Sequence, residues 1–261
     1  MSIAALRDAY DLQVRRNATP DGSGATVSTG ATWVRWSANE GLGWSEISWS
    51  QLTADDADEA IAAQIDFFHA RQQSFVWRVY DYDTPADLGT RLLAAGLTYS
   101  GQSAVMIAES ASLTHSSPLP EGTELLHVRD EEGIDLLIST HEEVFEHDHQ
   151  DLRRSLIARL QRAPEEFEMF VVLAKGVPVC AARVEFSPQR EFAALWGGGT
   201  TPEWRGRGIY KALVSIRAQR ALEKGYSYLM VMASDQSRPI LSRLGFETIA
   251  TVATYSWEPT T

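Results

Sequence analysis

The sequence predicts an α/β (α+β) protein, a mixed central β-sheet flanked by helices and built as two units in one chain. Three observations predict it. Strand-like alternation and helix-like periodicity are interspersed along all 261 residues. Gly and Pro punctuate the junctions between them. The stretch 109–122, rich in Ser, Thr, His, Pro and Gly, separates a first unit, residues 1–110, from a larger second one, residues 123–261, with 111–122 as the linker; Pro118 and Pro120 bias it toward an extended path.

In the first unit, residues 2–16 are expected as a helix with Ile3, Leu6, Tyr10 and Leu12 on one stripe, followed by a loop over 17–24. Strands follow near 25–36 and 44–49, with Gly41 and Gly43 in the turn. Thr53-Ala54-Asp55-Asp56 is a capping-box pattern that opens a helix carrying Ile61, Ile65, Phe68 and His69 at helical spacing. Residues 74–80 alternate as a strand. Thr84-Pro85-Ala86-Asp87 is a second box, with Pro at the first helical position; its helix ends at Gly96 and leads to a strand over 98–108.

The second unit begins with a strand over 124–128 and helices over 131–145 and 151–162. Three strands are expected at 168–174, 177–186 and 192–198. A long helix spans 207–224, a strand 227–233, and a short helix 237–244 is stopped by Gly245. Residues 246–257 close the chain as one or two strands. Leu92-Leu93-Ala94-Ala95-Gly96-Leu97 echoes Leu241-Ser242-Arg243-Leu244-Gly245-Phe246, and a strand follows each, which points to an internal duplication.

The bulk numbers bound the function. The composition, 44% apolar and 22% charged, is that of a globular chain. A net charge of −12 argues against broad nucleic-acid binding and suits cationic small molecules or basic peptides. No apolar run is long enough to cross a bilayer, the first residues carry no secretory pattern, and Cys180 is the single cysteine, so a cytoplasmic location is expected. His141, His147 and His149 lie among carboxylates, but His141 and His147 fall on different helix faces and no zinc pattern fits, so no metal is expected.

The chemistry concentrates in Trp196-Gly197-Gly198-Gly199-Thr200-Thr201-Pro202-Glu203-Trp204-Arg205-Gly206-Arg207-Gly208-Ile209-Tyr210-Lys211. A strand ends in three glycines, turns, and starts a helix through Arg-Gly-Arg-Gly. Glycines let a ligand press against bare backbone. The first amides of the helix lack intrahelical partners and, with the helix dipole, form an anion site. Arg205, Arg207 and Lys211 make a local basic cluster in an acidic chain, which suits a pyrophosphate. A Gly-rich turn with solvated arginines is the competing reading; the coincidence of glycines, arginines, preceding strand and amphipathic helix (Ile209, Leu213, Ile216) disfavours it.

This segment resembles the pyrophosphate loop of the GNAT superfamily of N-acetyltransferases, Arg/Gln-x-x-Gly-x-Gly/Ala after a Pro-Glu-aromatic-Arg lead-in, here Pro202-Glu203-Trp204-Arg205-Gly206-Arg207-Gly208-Ile209-Tyr210, with Tyr210 in place of the small last residue. The short helix ending in Arg243-Leu244-Gly245-Phe246 is similar to a second family mark. The resemblance covers about 123–257. It implies a GNAT-type acyl-CoA N-acyltransferase fold, acetyl-CoA as co-substrate, and a primary amine on a small molecule or peptide as acceptor. It further implies that backbone near Gly198, Gly199 and Thr200 meets the pantetheine arm and supplies an oxyanion donor. Amides of Arg205, Gly206, Arg207, Gly208, Ile209 and Tyr210 would hold the pyrophosphate. Ser234 stands where the family often has an Asn on the pantetheine, with Ser237 one turn on.

Many relatives carry a Tyr acid four residues before the Gly of Leu-Gly-Phe; that position here is Leu241, which cannot donate a proton. Tyr210 and Tyr255 are the substitutes considered, and Leu241 leaves open a non-catalytic CoA-binding sensor as the alternative. For the base, Glu142, Glu143, Glu146, His147, Asp148 and His149 cluster at a helix–helix junction, and Glu185 lies on a middle strand; Glu146 and His147 rank first against the bland reading of a solvated helix end. Trp33, Trp36, Trp44 and Trp49 read as core rather than a ligand cage. The corresponding helix start of the first half, Thr53-Ala54-Asp55-Asp56-Ala57-Asp58-Glu59, is acidic and lacks glycine. A degenerate GNAT-like first half that does not bind CoA is expected, left to shape the acceptor pocket or to form a homodimer.

Overall fold

The computed structural model describes residues 1–20, 22–39, 43–114 and 118–259. Gly41 of the expected turn and residues 115–117 of the expected linker lie outside them. The elements run β1 Thr26–Thr29, β2 Trp33–Ser37, β3 Glu46–Ser50, β4 Phe75–Tyr80, β5 Thr98–Glu109, β6 Thr123–Val128, β7 Phe167–Ala174, β8 Val177–Glu185, β9 Phe192–Thr200, β10 Tyr228–Ala233 and β11 Glu247–Trp257. The helices are α1 Ile3–Tyr10, α2 Ala57–His69, α3 Leu88–Ala94, α4 Glu131–Phe145, α5 Gln150–Arg162, α6 Ile209–Glu223 and α7 Arg238–Leu244.

All these strands belong to one sheet, in the order β1-β2-β3-β4-β11-β5-β10-β9-β8-β7-β6. The two halves interdigitate at its centre. The last strand, β11, lies antiparallel between β4 and β5 of the first half. β5 in turn lies antiparallel between β11 and β10. The linker stretch begins as a 3-10 turn at Ser110–Leu113, with Leu113 in the main core rather than on a free extended path.

Alternation along the strands sorts the helices onto two faces. Phe170, Val172, Cys180 and Ala182 pack under α6 and α7, whereas Met169, Val171 and Ala181 pack under α4 and α5. Val105, Ile107 and Phe192 meet α1 on the α4 side. Phe75 and Trp77 meet α2 and α3 on the α6 side, as Tyr80 points the other way to α1.

The internal echo is geometrically real. Gly96 ends α3 at φ +92° and Gly245 ends α7 at φ +101°. The Leu97 amide donates to the Leu92 carbonyl at 3.0 Å, as the Phe246 amide does to Leu241 at 3.1 Å, the helix-closing bond of a Schellman motif. Each helix feeds one of the two interdigitated strands, β5 and β11.

Local departures have local causes. The strand expected over 25–36 is the hairpin β1–β2, broken at Gly30, whose amide donates to the Trp33 carbonyl. The helix expected over 2–16 continues from α1 as a π-helical turn, Asp11–Arg16. Of the first capping box only the return half forms: Asp56 accepts the Thr53 amide at 2.7 Å, and the helix starts at Ala57. The second box does not form; the Thr84 hydroxyl donates to the Leu52 carbonyl and Asp87 pairs with Arg91. Trp36 and Trp49 are core residues, and Trp44 stacks on Trp36.

Candidate active site

The sheet opens where two parallel strands part. β9 and β10 pair only at Phe192–Tyr228, Ala193–Leu229 and Ala194–Met230. Beyond Ala194 the edge of β9 has no β10 partner, and β10 leans on β5 alone. The fork is held open from the other side by an irregularity. Ala181 pairs with Gly199 and Arg183 with Trp196, so Gly197 and Gly198 together face the single residue Ala182. Gly197 sits at φ +56°, in the left-handed region that glycine reaches without strain.

The glycine run is not bare, as the sequence suggested, but pressed by helices on both faces. A Cβ on Gly197 would stand 2.5 Å from His141 Cε1, and one on Gly199 would stand 2.7 Å from Val144 Cγ1, both on α4. One on Gly198 would stand 2.9 Å from Tyr210 Cε2 of α6. Only the edge of the strand, its amides and carbonyls, faces the fork. Thr200 shares its hydroxyl with the Cys180 thiol at 3.1 Å. Burial pushes that thiol up to about 11, so it stays protonated at neutral pH and is no nucleophile.

From the fork the chain turns through Thr201–Arg205 to α6. Arg205, Gly206, Arg207 and Gly208 are exposed. Gly206 and Gly208 take φ +76° and +87°, and a Cβ on either would meet nothing within 4 Å. The first intrahelical bond is Ala212 to the Gly208 carbonyl, so the amides of Ile209, Tyr210 and Lys211 precede it without helical partners. Arg205 Nε donates to the Thr200 carbonyl at 3.1 Å, and the Arg207 guanidinium lies 4.5 Å from the Trp204 ring centroid. The Ile209 side chain is a core residue, so it offers only its amide. This is an open, basic corner edged by amides without helical partners, at the end of the strand that forms one side of the fork.

The remaining expected residues sort as follows. Ser234 and Ser237 close the turn after β10 on each other, Oγ to Oγ at 3.3 Å. Glu146 and His147 are exposed at the end of α4, Glu146 as its left-handed cap; His147 Nδ1 lies 2.6 Å from the Phe145 carbonyl. Glu142 and Asp148 serve the start of α5, accepting from Gln150. Glu185 is buried between Arg159, at 2.8 Å, and Arg183, at 3.1 Å, which hold its carboxyl below the usual range against the cost of burial. Leu241 is fully buried in the main core. Tyr255 is no substitute acid, because its hydroxyl abuts Gly89 of α3 in the other half. Burial under Gly198 raises the Tyr210 phenol.

Sequence reasoning missed three groups at the fork. His141, 1% exposed, places Nε2 2.8 Å from the Gly197 carbonyl. Burial first and Arg183 second lower its imidazole to about 4, so it is neutral and Nε2–H is the donor. Arg217, also buried, reaches the Arg183 carbonyl at 3.2 Å beneath the glycine run. Tyr10 of α1 lines the fork itself. Only contacts made across long stretches of sequence reveal these roles.

Residues 131–246 match the model of the acetyltransferase (GNAT) family. No curated protein sequence matches the chain significantly. Among solved structures, a GCN5-related N-acetyltransferase from Kribbella flavida is 19% identical with a TM-score of 0.71, over 99% of this chain and 96% of that one. A functionally unknown conserved protein from Staphylococcus epidermidis is 9% identical with a TM-score of 0.71, over 98% and 100%. A tandem GNAT protein from the clavulanic acid biosynthesis pathway is 13% identical with a TM-score of 0.64, over 99% and 96%. At these identities the likeness is one of fold, and it extends over both halves of the chain.

Proposed function

Residues 131–246 are a domain of the acetyltransferase (GNAT) family, and from that premise we propose that the chain transfers the acetyl group of acetyl-CoA to a primary amine on a small molecule or peptide. One observation carries the reading: the free edge of β9 runs from the fork directly to the open start of α6. A thioester and a diphosphate joined by one flexible arm need those two features on one continuous path.

The residues divide the work. The amides from Gly206 to Tyr210 take the diphosphate, without that of Arg205, which donates to the Pro202 carbonyl at 3.3 Å; Arg205, Arg207 and Lys211 supply charge in an otherwise anionic molecule. The edge of Gly198, Gly199 and Thr200 takes the arm. An amide of the bulge donates to the thioester oxygen as negative charge develops there. In the reaction the amine nitrogen bonds to the acetyl carbon, the carbon–sulfur bond breaks, the amine loses a proton and the thiolate gains one. Glu146 and His147 follow Val144 and Phe145, which touch Gly199, and, exposed there, relay the amine proton. With Leu241 in the core and the Tyr255 hydroxyl turned against Gly89 of the first half, water protonates the thiolate. The first half does not take CoA: α2 begins with Asp58 and Glu59 in its first turn.

A CoA-binding sensor without turnover is the second reading, favoured by the burial of Leu241. Thiol release from acetyl-CoA across a panel of amines separates the two. Amine-dependent release supports the transferase; tight binding with no release by any amine favours the sensor.

A further inference from the structure

At the base of the fork between β9 and β10 lies a cavity of about 20 Å³, lined among others by Tyr10, Val105, Ala194, Trp196, Met230 and Met232. That is room on the order of one water or one methyl group. Its lining is mostly apolar. Two of the lining residues come from outside the domain: Val105 belongs to β5, and Tyr10 belongs to α1, at the beginning of the chain, and packs edge-on against Phe192.

The position of Tyr10 is fixed by the first half. Its hydroxyl meets that of Tyr80 at 2.9 Å, and the Tyr80 ring lies 3.6 Å beneath the Arg15 guanidinium. Arg15 occupies the first half's own fork. β3 and β4 are parallel and pair only at Glu46–Val76 and Ile47–Trp77 before parting. Arg15 Nε donates to the Ser48 carbonyl on the departing strand, and its NH2 donates to both oxygens of Asp83 at 2.8 and 2.9 Å. The side chain is 1% exposed. The opening that corresponds to the CoA fork is therefore filled by the chain's own cation, and the same segment carries Tyr10 into the functional fork.

We propose that Tyr10 is a specificity-determining residue for the acyl group: it and Met230 limit the fork to a two-carbon acyl chain. This rests on the acyl-CoA reading of the site. A methyl group fits the cavity as it stands, whereas each further methylene must displace Tyr10 or a methionine. Discrimination of roughly tenfold or more against a four-carbon chain is the expected scale.

Calorimetric titration of the full chain with acetyl-CoA and with butyryl-CoA tests this, with circular dichroism as the check on folding. The native chain should bind acetyl-CoA at least about tenfold more tightly. Tyr10→Ala and Met230→Ala should each bring the two affinities close to equality, and Tyr10→Phe, which keeps the ring, should leave the ratio as it is. If Tyr10→Ala does not fold, Met230→Ala decides the matter. Both thioesters binding with a ratio that neither wall variant moves would overturn the slot assignment and leave the acyl-CoA reading intact. Neither thioester binding the native chain would overturn that reading, and the slot with it.

Discussion

His141 Nε2 lies 2.8 Å from the carbonyl oxygen of Gly197, so a buried side chain of α4 grips β9 at the bulge that opens the fork. The bond needs a neutral ring with its proton on Nε2, and burial supplies the neutrality.

The pH dependence follows with a definite sign. The folded imidazole sits at about 4, and an unfolded histidine titrates near 6.5. Between those values the unfolded chain binds a proton that the folded chain does not. Stability is therefore complete above about 6.5 and falls as pH drops toward 4, by about 3 kcal/mol in all. Thermal unfolding of the native chain and of His141→Gln across this window should diverge in slope. Parallel loss in the two chains would mean that the imidazole is not held neutral.

Gly199 is needed for approach, not for turning. A Cβ there would meet Val144 Cγ1 at 2.7 Å and Phe145 Cζ at 3.2 Å. Gly199→Ala should cost about 1–3 kcal/mol by overpacking. Adding Val144→Ala should return part of it, with a coupling above about 0.5 kcal/mol in urea unfolding. Strictly additive costs would contradict the contact.

Gly208 is the converse case, at φ +87° with open space around it. Gly208→Ala and Gly208→Asp should cost similar stability, about 1–2 kcal/mol from the backbone alone. Only the aspartate places a negative charge among the amides. It should lower CoA affinity at least about tenfold beyond the alanine variant, a gap of about 1.4 kcal/mol. Equal affinities would place the diphosphate elsewhere.

Arg15 and Asp83 are exposed by 1% and 4%. Arg15→Met leaves a buried carboxylate without its partner and should cost about 3–5 kcal/mol. Arg15→Met with Asp83→Asn should recover much of that in denaturant titrations. A double variant as unstable as the single one would show that the guanidinium acts by packing alone.

Much of the second half was legible because its signals are local. The periodicity of 131–145, the Arg-Gly-Arg-Gly helix start and the Leu-Gly-Phe stop each depend on a few neighbouring residues, and the structure carries α4, α6 and α7 there. The exchange of β5 and β11 was not legible, because Val252 pairs with Tyr80 and Met230 with Ile107 across more than a hundred residues. The same reason hid the site's walls. His141 reads as one histidine in an acidic cluster until Gly197 is brought beneath it. Tyr10 reads as the stripe of an isolated helix until the fork closes on it. The glycine run was legible as a place where backbone is approached, but not that α4 and Tyr210 do the approaching.

The central claim is that one basic, amide-lined corner, beside one open fork, takes CoA. Isothermal titration of the full chain with CoA tests it most directly. The account predicts saturable binding at submillimolar concentration with one CoA per chain, since Arg15 fills the other fork and Asp58 and Glu59 stand at the start of α2. The absence of saturable heat in that range, or two CoA per chain, would contradict it.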